Sequence, residues 1–445
     1  MFALLFTLAV VPAICVGLRI MSKKDILVWD LLILFTTLYL WAIPCKDFLF
    51  EHEFPEFLGN TYTVGTLCLY MWLLLLADLF YANYKRGNNF LNISRFFRLW
   101  HPVAIKPSFL WVILLIGLIY LYNITNYSAM DADNPEANNQ FGSGNNMPLP
   151  LRVFALSIRP IYPLLLIITY TFKSSVKLYG RLRIVCMVLL IAGLLLGSKT
   201  NMTFNLIFFL IYFYSMRRDL MTRKNILLGG AILAVTFFVF FPISQGLRMY
   251  KQYYVENMSV HDFKTVLTAY VTQAVDIDMS DRVERYQNRR GMNVYTTFDF
   301  VCNTNYRGNG DMTWSIFRYI IVQRTIMDNR GEILAVMQNS GDVAESIPAW
   351  FVCDYGCVFG PIAAIFYLIL MFLLFHWMGQ FFYLFFKSPA VTFMAMSLIL
   401  QRCISIEHNP SGDIRVFYAT YSIVFVACGI LFTVFSKKNR VRRYA

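Results

Sequence analysis

Apolar residues in this chain come in long runs separated by short polar connectors, and the spacing of those runs predicts the fold. Phe2–Leu18, Ile26–Cys45, Tyr62–Tyr81, Phe109–Ile124, Leu151–Phe172, Ile184–Leu196, Phe204–Tyr214 and Ile226–Gly246 come before one long polar interval. Phe351–Leu374, Ala390–Ile404 and Val416–Phe435 follow it. A hydrocarbon core about 30 Å thick takes roughly 20 residues of apolar helix, and backbone in lipid must satisfy its own hydrogen bonds. The runs therefore predict an all-α polytopic membrane protein of about 11 transmembrane helices. Residues 1–247 hold the first eight, 248–350 form one large loop, and 351–445 hold the last three and a basic tail.

The long loop, Arg248–Trp350, has its own pattern. Phe263, Val266, Leu267, Tyr270, Val271 and Ala274 recur at the spacing of an amphipathic helix, suited to lying on the membrane or the bundle. Ser280–Arg290 reads as a second helix that stops before Gly291, and Trp314–Val322 is a third apolar stretch too short to span.

Charge fixes the orientation. Successive connectors carry Arg19, Lys23 and Lys24; Lys85, Arg86, Arg95, Arg98 and Lys106; Lys173, Lys177, Arg181 and Arg183; and Arg217, Arg218, Arg223 and Lys224. Lys387 marks a short turn, and Lys437, Lys438, Arg440, Arg442 and Arg443 crowd the C-terminus. With eleven spans, the N-terminus outside and the C-terminus inside, every one of these clusters is cytoplasmic, as the positive-inside rule requires. The first run has its charges after it rather than before it, so it reads as a span and not as a secretory signal. The long loop is then extracytoplasmic.

Composition agrees: 58% of residues are hydrophobic and only 15% charged, against about 25% charged in soluble domains. The net charge of +13 is accounted for by the inner connectors, so nucleic acid is not implied. Nine cysteines are scattered without metal-ligand spacing. Cys302 has Cys353 and Cys357 as potential partners, but no disulfide is expected.

Ionisable groups in costly places point to a site. Arg152 and Arg159 lie one above the other on the fifth run, and a buried arginine costs about 2.5–3.5 kcal/mol on insertion scales. The structural alternative pairs Arg159 with an intramembrane acid, Asp30 or Asp78. Lys199 in the turn Gly197-Ser-Lys-Thr-Asn201, with Arg248, Arg402 and Arg415, is expected at the same outer level. The final outer loop between Arg402 and Arg415 adds Glu407, His408 and Asp413. Such a cationic vestibule suits an anionic, phosphate-bearing substrate, because arginine presents a planar fork of donors. His408 or Glu407 is the candidate general base, with His52 and His261 also on the outer side. Asp276-Ile-Asp278 is a DxD, a pattern frequent by chance in a loop of mixed charge.

The layout resembles the bacterial oligosaccharide repeat-unit (O-antigen, Wzy-type) polymerases, with many spans and one long outer loop before the last few. Gly197-Ser-Lys-Thr-Asn201 is similar to a family turn, with Lys199 where arginine is more usual. Ala349-Trp-Phe-Val-Cys-Asp-Tyr-Gly-Cys-Val-Phe-Gly360 is similar to the family's return to the membrane, and Arg402 to Arg415 resembles its Arg-flanked last loop. Arg330 and Gly341 fit an Arg-x10-Gly pattern, a match expected by chance among so many Arg and Gly residues, and it adds nothing to the resemblance. The resemblance implies a GT-C-like membrane glycosyltransferase of the bacterial inner membrane. It would pass a growing glycan from undecaprenyl pyrophosphate to another lipid-linked repeat unit, without metal or cofactor. Arg152, Arg159, Lys199, Arg248, Arg402 and Arg415 would hold the pyrophosphate. Tyr253, Tyr254, Tyr286, Tyr295 and Trp314 would grip sugars. Lipid-linked oligosaccharides, membrane lipids, a chain-length regulator and a flippase are the implied partners. An O-antigen ligase and a transporter or flippase of lipid-linked glycans are the competing readings.

Overall fold

The computed structural model describes residues 2–23, 25–51, 60–84, 90–100, 180–185, 199–216, 297–304, 346–404 and 421–436, with 105, 106, 108, 109, 111, 112, 114, 115, 118, 164, 167, 168, 188 and 313. Eight helices are delimited there: α1 Phe2–Lys23, α2 Val28–Glu51, α3 Thr61–Tyr84, α4 Ile93–Leu99, α5 Lys199–Met216, α6 Ile347–Phe386, α7 Pro389–Ile404 and α8 Ser422–Phe435. Residues 297–304 form one further short helix. Among the described residues β-structure is limited to isolated bridges, at Leu27–Asn92 and Ile105–Ser436.

Both α3 and α6 contain a stretch long and apolar enough to cross a membrane. Their exposed faces are apolar as well: Trp72, Leu76, Leu79 and Phe80 on α3, and Phe359, Phe366, Leu370, Trp377, Phe381 and Leu384 on α6. The opposite faces, with Leu67, Met71 and Leu74 on α3 and Leu368, Phe372 and Phe375 on α6, are buried. A helix apolar all round is at home in a large core or in lipid.

The chain divides into two compact units. In the first, α1, α2 and α3 pack together. Arg19 near the end of α1 binds Asp30 at the start of α2 and Asp78 near the end of α3, the latter at 3.0 Å. Both carboxylates are fully buried. Asp30 also accepts the Leu27 backbone N–H at 2.6 Å, the acidic half of a capping box at the start of α2. Arg19, expected as an ordinary connector charge, is therefore committed to the two acids considered as partners for Arg159.

The start of α2 is tied to the residues leading into α4. The Val28 N–H bonds Leu91 O at 2.9 Å and the Ile93 N–H bonds Ile26 O at 3.0 Å. Trp29, fully buried, packs on Tyr81 and edge-on against Phe372 of α6. This contact joins the later part of α6 to the Arg19 end of the bundle.

In the second unit the core is aromatic. Phe97 meets Phe208 and Tyr212, and Phe393 meets Phe208 at 4.9 Å and Trp100 at 5.0 Å. Phe109 packs on Phe432 and Phe435 of α8. Lys106 donates from its backbone to Phe435 O and from Nζ to Val434 O, closing the C-terminal carbonyls of α8 with a cation. Gly379 leaves room for Ala395, and Gly429 for the ring of Phe386, so α6 approaches α7 and α8 closely. Lys387 makes the turn between α6 and α7 in the left-handed region, at φ 46.

Several boundaries differ from the sequence reading. The run expected to end at Cys45 stays helical to Glu51, taking in Asp47. Lys199 opens α5 rather than sitting in a turn before it, because Lys199-Thr-Asn201 continues without a breaker into the apolar run. The single crossing expected at Phe351–Leu374 is a bent element, Ile347–Phe386, broken at Gly356. The amphipathic segment from Phe263, Ser280–Arg290 and Trp314–Val322 lie outside the described residues.

Candidate functional site

The bend in α6 starts with its glycines. Gly356 adopts φ 74, ψ −176, a conformation essentially reserved for glycine. Four residues on, a Cβ at Gly360 would meet the backbone of Val352, at 2.7 Å from its N and 2.8 Å from the carbonyl O of Phe351. In a continuous helix residues 352 and 360 would stand about 12 Å apart along the axis. The chain therefore doubles back at Gly356: a short helix over residues 347–355 lies against the start of the long helix that follows. Phe351 reinforces the fold-back by packing on Tyr367 at 5.3 Å.

At this bend Asp354 is 2% exposed. Its Oδ2 accepts both the Thr313 N–H at 2.5 Å and the Thr313 hydroxyl at 2.6 Å. An acid at the C-terminal end of a helix is disfavoured by the helix dipole, and the two donors offset this while tying the long loop to the bend. Next to it, Cys357 is disulfide-bonded to Cys302 of the helix 297–304, with Cα atoms 6.0 Å apart. The expectation of no disulfide is corrected here: residues 55 apart in sequence are brought together by the fold-back at Gly356.

The helix 297–304 is fastened in turn to the start of α3. Asn60 Nδ2 donates to Asp299 at 2.8 Å and to Asn303 at 2.6 Å, and Thr63 Oγ1 donates to Asp299 at 2.9 Å. Asn60 Oδ1 meanwhile accepts the Tyr62 N–H at 3.0 Å as the N-cap of α3. Thr66 Oγ1 lies 3.4 Å from Cys302 Sγ. Asp299, Cys302 and Asn303 share one helical face by their spacing, while Thr297, Phe298 and Val301 are buried.

Arg402, in the last turn of α7, is the predicted anion-binding residue whose side chain is described. It is 4% exposed and donates from a terminal guanidinium nitrogen to Tyr421 Oη at 3.2 Å. Tyr421 packs on Phe375 at 6.0 Å. Phe375 lies about 27 Å of helix beyond Cys357, one turn past the Phe372 that meets Trp29. Arg402 is thus held inside the bundle, nearer along α6 to the Arg19 end than to the loop anchor. Its fork has the geometry to receive a phosphate or carboxylate oxygen.

Lys199 is the first residue of α5. Arg152, Arg159, Arg248, Glu407, His408 and Arg415 lie outside the described residues, as do Tyr253, Tyr254, Tyr286, Tyr295, Trp314, Asp276, Asp278, Arg330 and Gly341. Among the described residues no three His, Cys, Asp or Glu side chains converge as a metal site.

Sequence reasoning missed Asp354 as a site residue and passed over Asn60 and Asp299. The signal for Asp354 was present: it is an ionisable residue within an apolar run, directly before Tyr355-Gly356. No protein-family model, curated protein or solved structure matches this chain.

Proposed function

We propose that the chain is a membrane-embedded glycosyltransferase that polymerises lipid-linked oligosaccharide repeat units. It would transfer the growing glycan from undecaprenyl pyrophosphate to the sugar end of another lipid-linked unit, at the outer face of a bacterial inner membrane. The observation that carries the reading is the fastening of the long loop. Thr313 on Asp354, Cys302 on Cys357, and Asp299 and Asn303 on Asn60 make part of that loop a fixed wall beside the bend of α6. A mere connector needs no such attachments, whereas an enzyme acting on a bulky lipid-linked glycan needs a built surface next to the bundle.

In this reading the topology is eleven spans, N-terminus outside and C-terminus inside, with 248–350 outside. Arg152, Arg159, Lys199, Arg248 and Arg415 stabilise the pyrophosphate as it departs, a chiefly electrostatic contribution. His408 or Glu407 takes the proton of the acceptor hydroxyl. Arg402, expected at the same outer level, sits instead nearer the Arg19 end, so in this reading it supports the bundle below the site and the outer-face pyrophosphate falls to the other five cations.

A second reading, a transporter or flippase of lipid-linked glycans, is favoured by a different observation: the buried Arg19–Asp30–Asp78 cluster. Intramembrane ionisable groups commonly mark a substrate or ion path. Deleting the gene and resolving the surface glycan on a gel separates the possibilities. Single repeats in place of a ladder support the polymerase, loss of all glycan supports the flippase, and polymer not joined to lipid A supports a ligase. Reporter fusions after residues 90, 220 and 300 should read inside, inside and outside; an inside result at 300 sinks the enzymatic reading.

A further inference from the structure

The attachments of the loop to the bend include one covalent bond, and its position in the bundle says where and how it is made. We propose that Cys302–Cys357 is a structural disulfide introduced outside the cytoplasm by a thiol–disulfide oxidoreductase, and that this oxidation locks the helix 297–304 onto the Gly356 bend.

The placement rests on α3. Its N-terminal end carries Thr63 and Thr66, which touch Asp299 and Cys302. Asp78, about 22 Å further along the helix, meets Arg19. That second end is also where Leu27 pairs with Asn92, just before the basic helix α4 with Arg95. Basic residues gather on the cytoplasmic side of membrane helices, which puts the Cys302 end in the opposite compartment. Disulfides persist there and not in the reducing cytosol. Two independent rules, charge asymmetry and redox compartment, thus give the same orientation.

The selectivity of the pairing also follows from the contacts. Cys353, the nearer rival in sequence, is fully buried in the short helix and stays a thiol, as do the buried Cys403 and Cys428. Asn60 and Thr63 hold Asp299, which orients the 299/302/303 face of the loop helix toward α3. The fold-back at Gly356 brings Cys357 to meet it. The polar contacts position the two thiols and oxidation makes the arrangement permanent.

Chemically, the thiolate of one cysteine attacks the disulfide of the oxidase, giving a mixed disulfide and one free oxidase thiol. The second cysteine's thiolate then displaces the oxidase sulfur. The Cys302–Cys357 bond forms, and both electrons and both protons end on the oxidase as a dithiol. The clasp is independent of the reaction the bundle performs.

The experiment uses the full-length protein in its native membrane, in cells with and without their extracytoplasmic dithiol oxidase. Cells are quenched with acid and the protein is denatured in the presence of N-ethylmaleimide, so that every thiol, buried ones included, is blocked; it is then reduced, and newly exposed thiols are counted by the gel shift of a polyethylene-glycol maleimide. Two additions are expected with the oxidase, and none without it, in Cys302→Ser or in Cys357→Ser. No addition in oxidase-proficient cells overturns the disulfide. Additions that survive Cys357→Ser overturn the pairing, and equal additions without the oxidase overturn the route. The wild-type chain alone decides the first point should either variant fail to insert. The lock is read separately: reductant should lower the melting midpoint of the wild type and leave that of Cys302→Ser/Cys357→Ser unmoved. An equal drop in both rules out the clasp.

Discussion

The ion cluster at the end of α1 gives the sharpest energetic test, because one cation there faces two acids. Arg19 is mostly buried and Asp30 and Asp78 fully so. Replacing Arg19 by Met keeps the length of the stem and strands two carboxylates in a low-dielectric interior. Removing one partner of a buried ion pair costs about 3–5 kcal/mol, because the remaining charge has lost its compensation. Asp78→Asn is milder: Arg19 keeps Asp30 and the amide oxygen still accepts, so the loss is that of a charge-assisted hydrogen bond, about 1.5–3 kcal/mol. The triple change Arg19→Met/Asp30→Asn/Asp78→Asn removes every charge at once, and the amide replacing the Asp30 carboxylate can still accept the Leu27 N–H. Exchanging a buried ionic cluster for neutral groups is often close to neutral. Melting midpoints of the purified protein in one detergent, read as loss of the monodisperse peak on size exclusion, should therefore fall in a fixed order. Arg19→Met should be lowest, Asp78→Asn intermediate, and the triple variant above Arg19→Met despite carrying more substitutions. If Arg19→Met melts with the wild type, or the triple variant melts no higher than Arg19→Met, the cluster is not a buried, mutually compensating set.

Three further perturbations probe the bend, the cap and the turn by the same melting assay. Gly356→Ala places a Cβ where φ is 74 and ψ −176 and should cost about 1–3 kcal/mol; an unchanged midpoint would mean that the fold-back at this residue is wrong. Asn60→Ala removes the N-cap of α3 together with the bonds to Asp299 and Asn303. It should cost about 1–2 kcal/mol and expose the 297–304 segment to protease, whereas Asn60→Asp should keep the cap and lose the donors. Lys387, at φ 46, should gain about 1 kcal/mol on replacement by Gly and lose stability on replacement by Val; the reverse order would exclude a left-handed residue in that turn.

What the sequence made legible follows from the physics of each feature. Long apolar runs leave a one-dimensional trace, so α3 falls within three residues of its expected ends and α7 begins within one. The bend in α6 leaves almost none: Phe351–Leu374 reads as one apolar run, and Gly356 and Gly360 become a fold-back only once the close approach to Val352 is known. The helix 297–304 was equally hidden. Thr-Phe-Asp-Phe-Val-Cys-Asn-Thr is rich in β-branched and aromatic residues of modest helix propensity. It is helical because Phe298 and Val301 are buried and Asp299 is held from α3. Arg402 stands out in the sequence as an ionisable residue at the end of an apolar run, but its depth cannot be read there. That depth depends on Tyr421 reaching Phe375, a contact between segments separated by a long interval of sequence.

The disulfide escapes a reading of the sequence for an instructive reason. Spacing alone makes Cys353 and Cys357 equivalent partners for Cys302, and most of the other cysteines lie in apolar runs, where a thiol is simply a small apolar group. What separates the two is the turn of the chain. Cys353 precedes Gly356 and is buried in the short helix, while Cys357 follows it and meets the loop helix. The same turn sets Asp354 beside Thr313. One glycine with a positive φ thus decides which thiol is available, where the buried carboxylate lies, and how the long loop is attached. Substituting it should disturb all three together: Gly356→Ala should leave Cys302 open to maleimide in oxidase-proficient cells. Gly356→Ala with the disulfide fully formed would mean that the loop finds the bundle without the bend, and the wall proposed here for the lipid-linked substrate would lose its foundation.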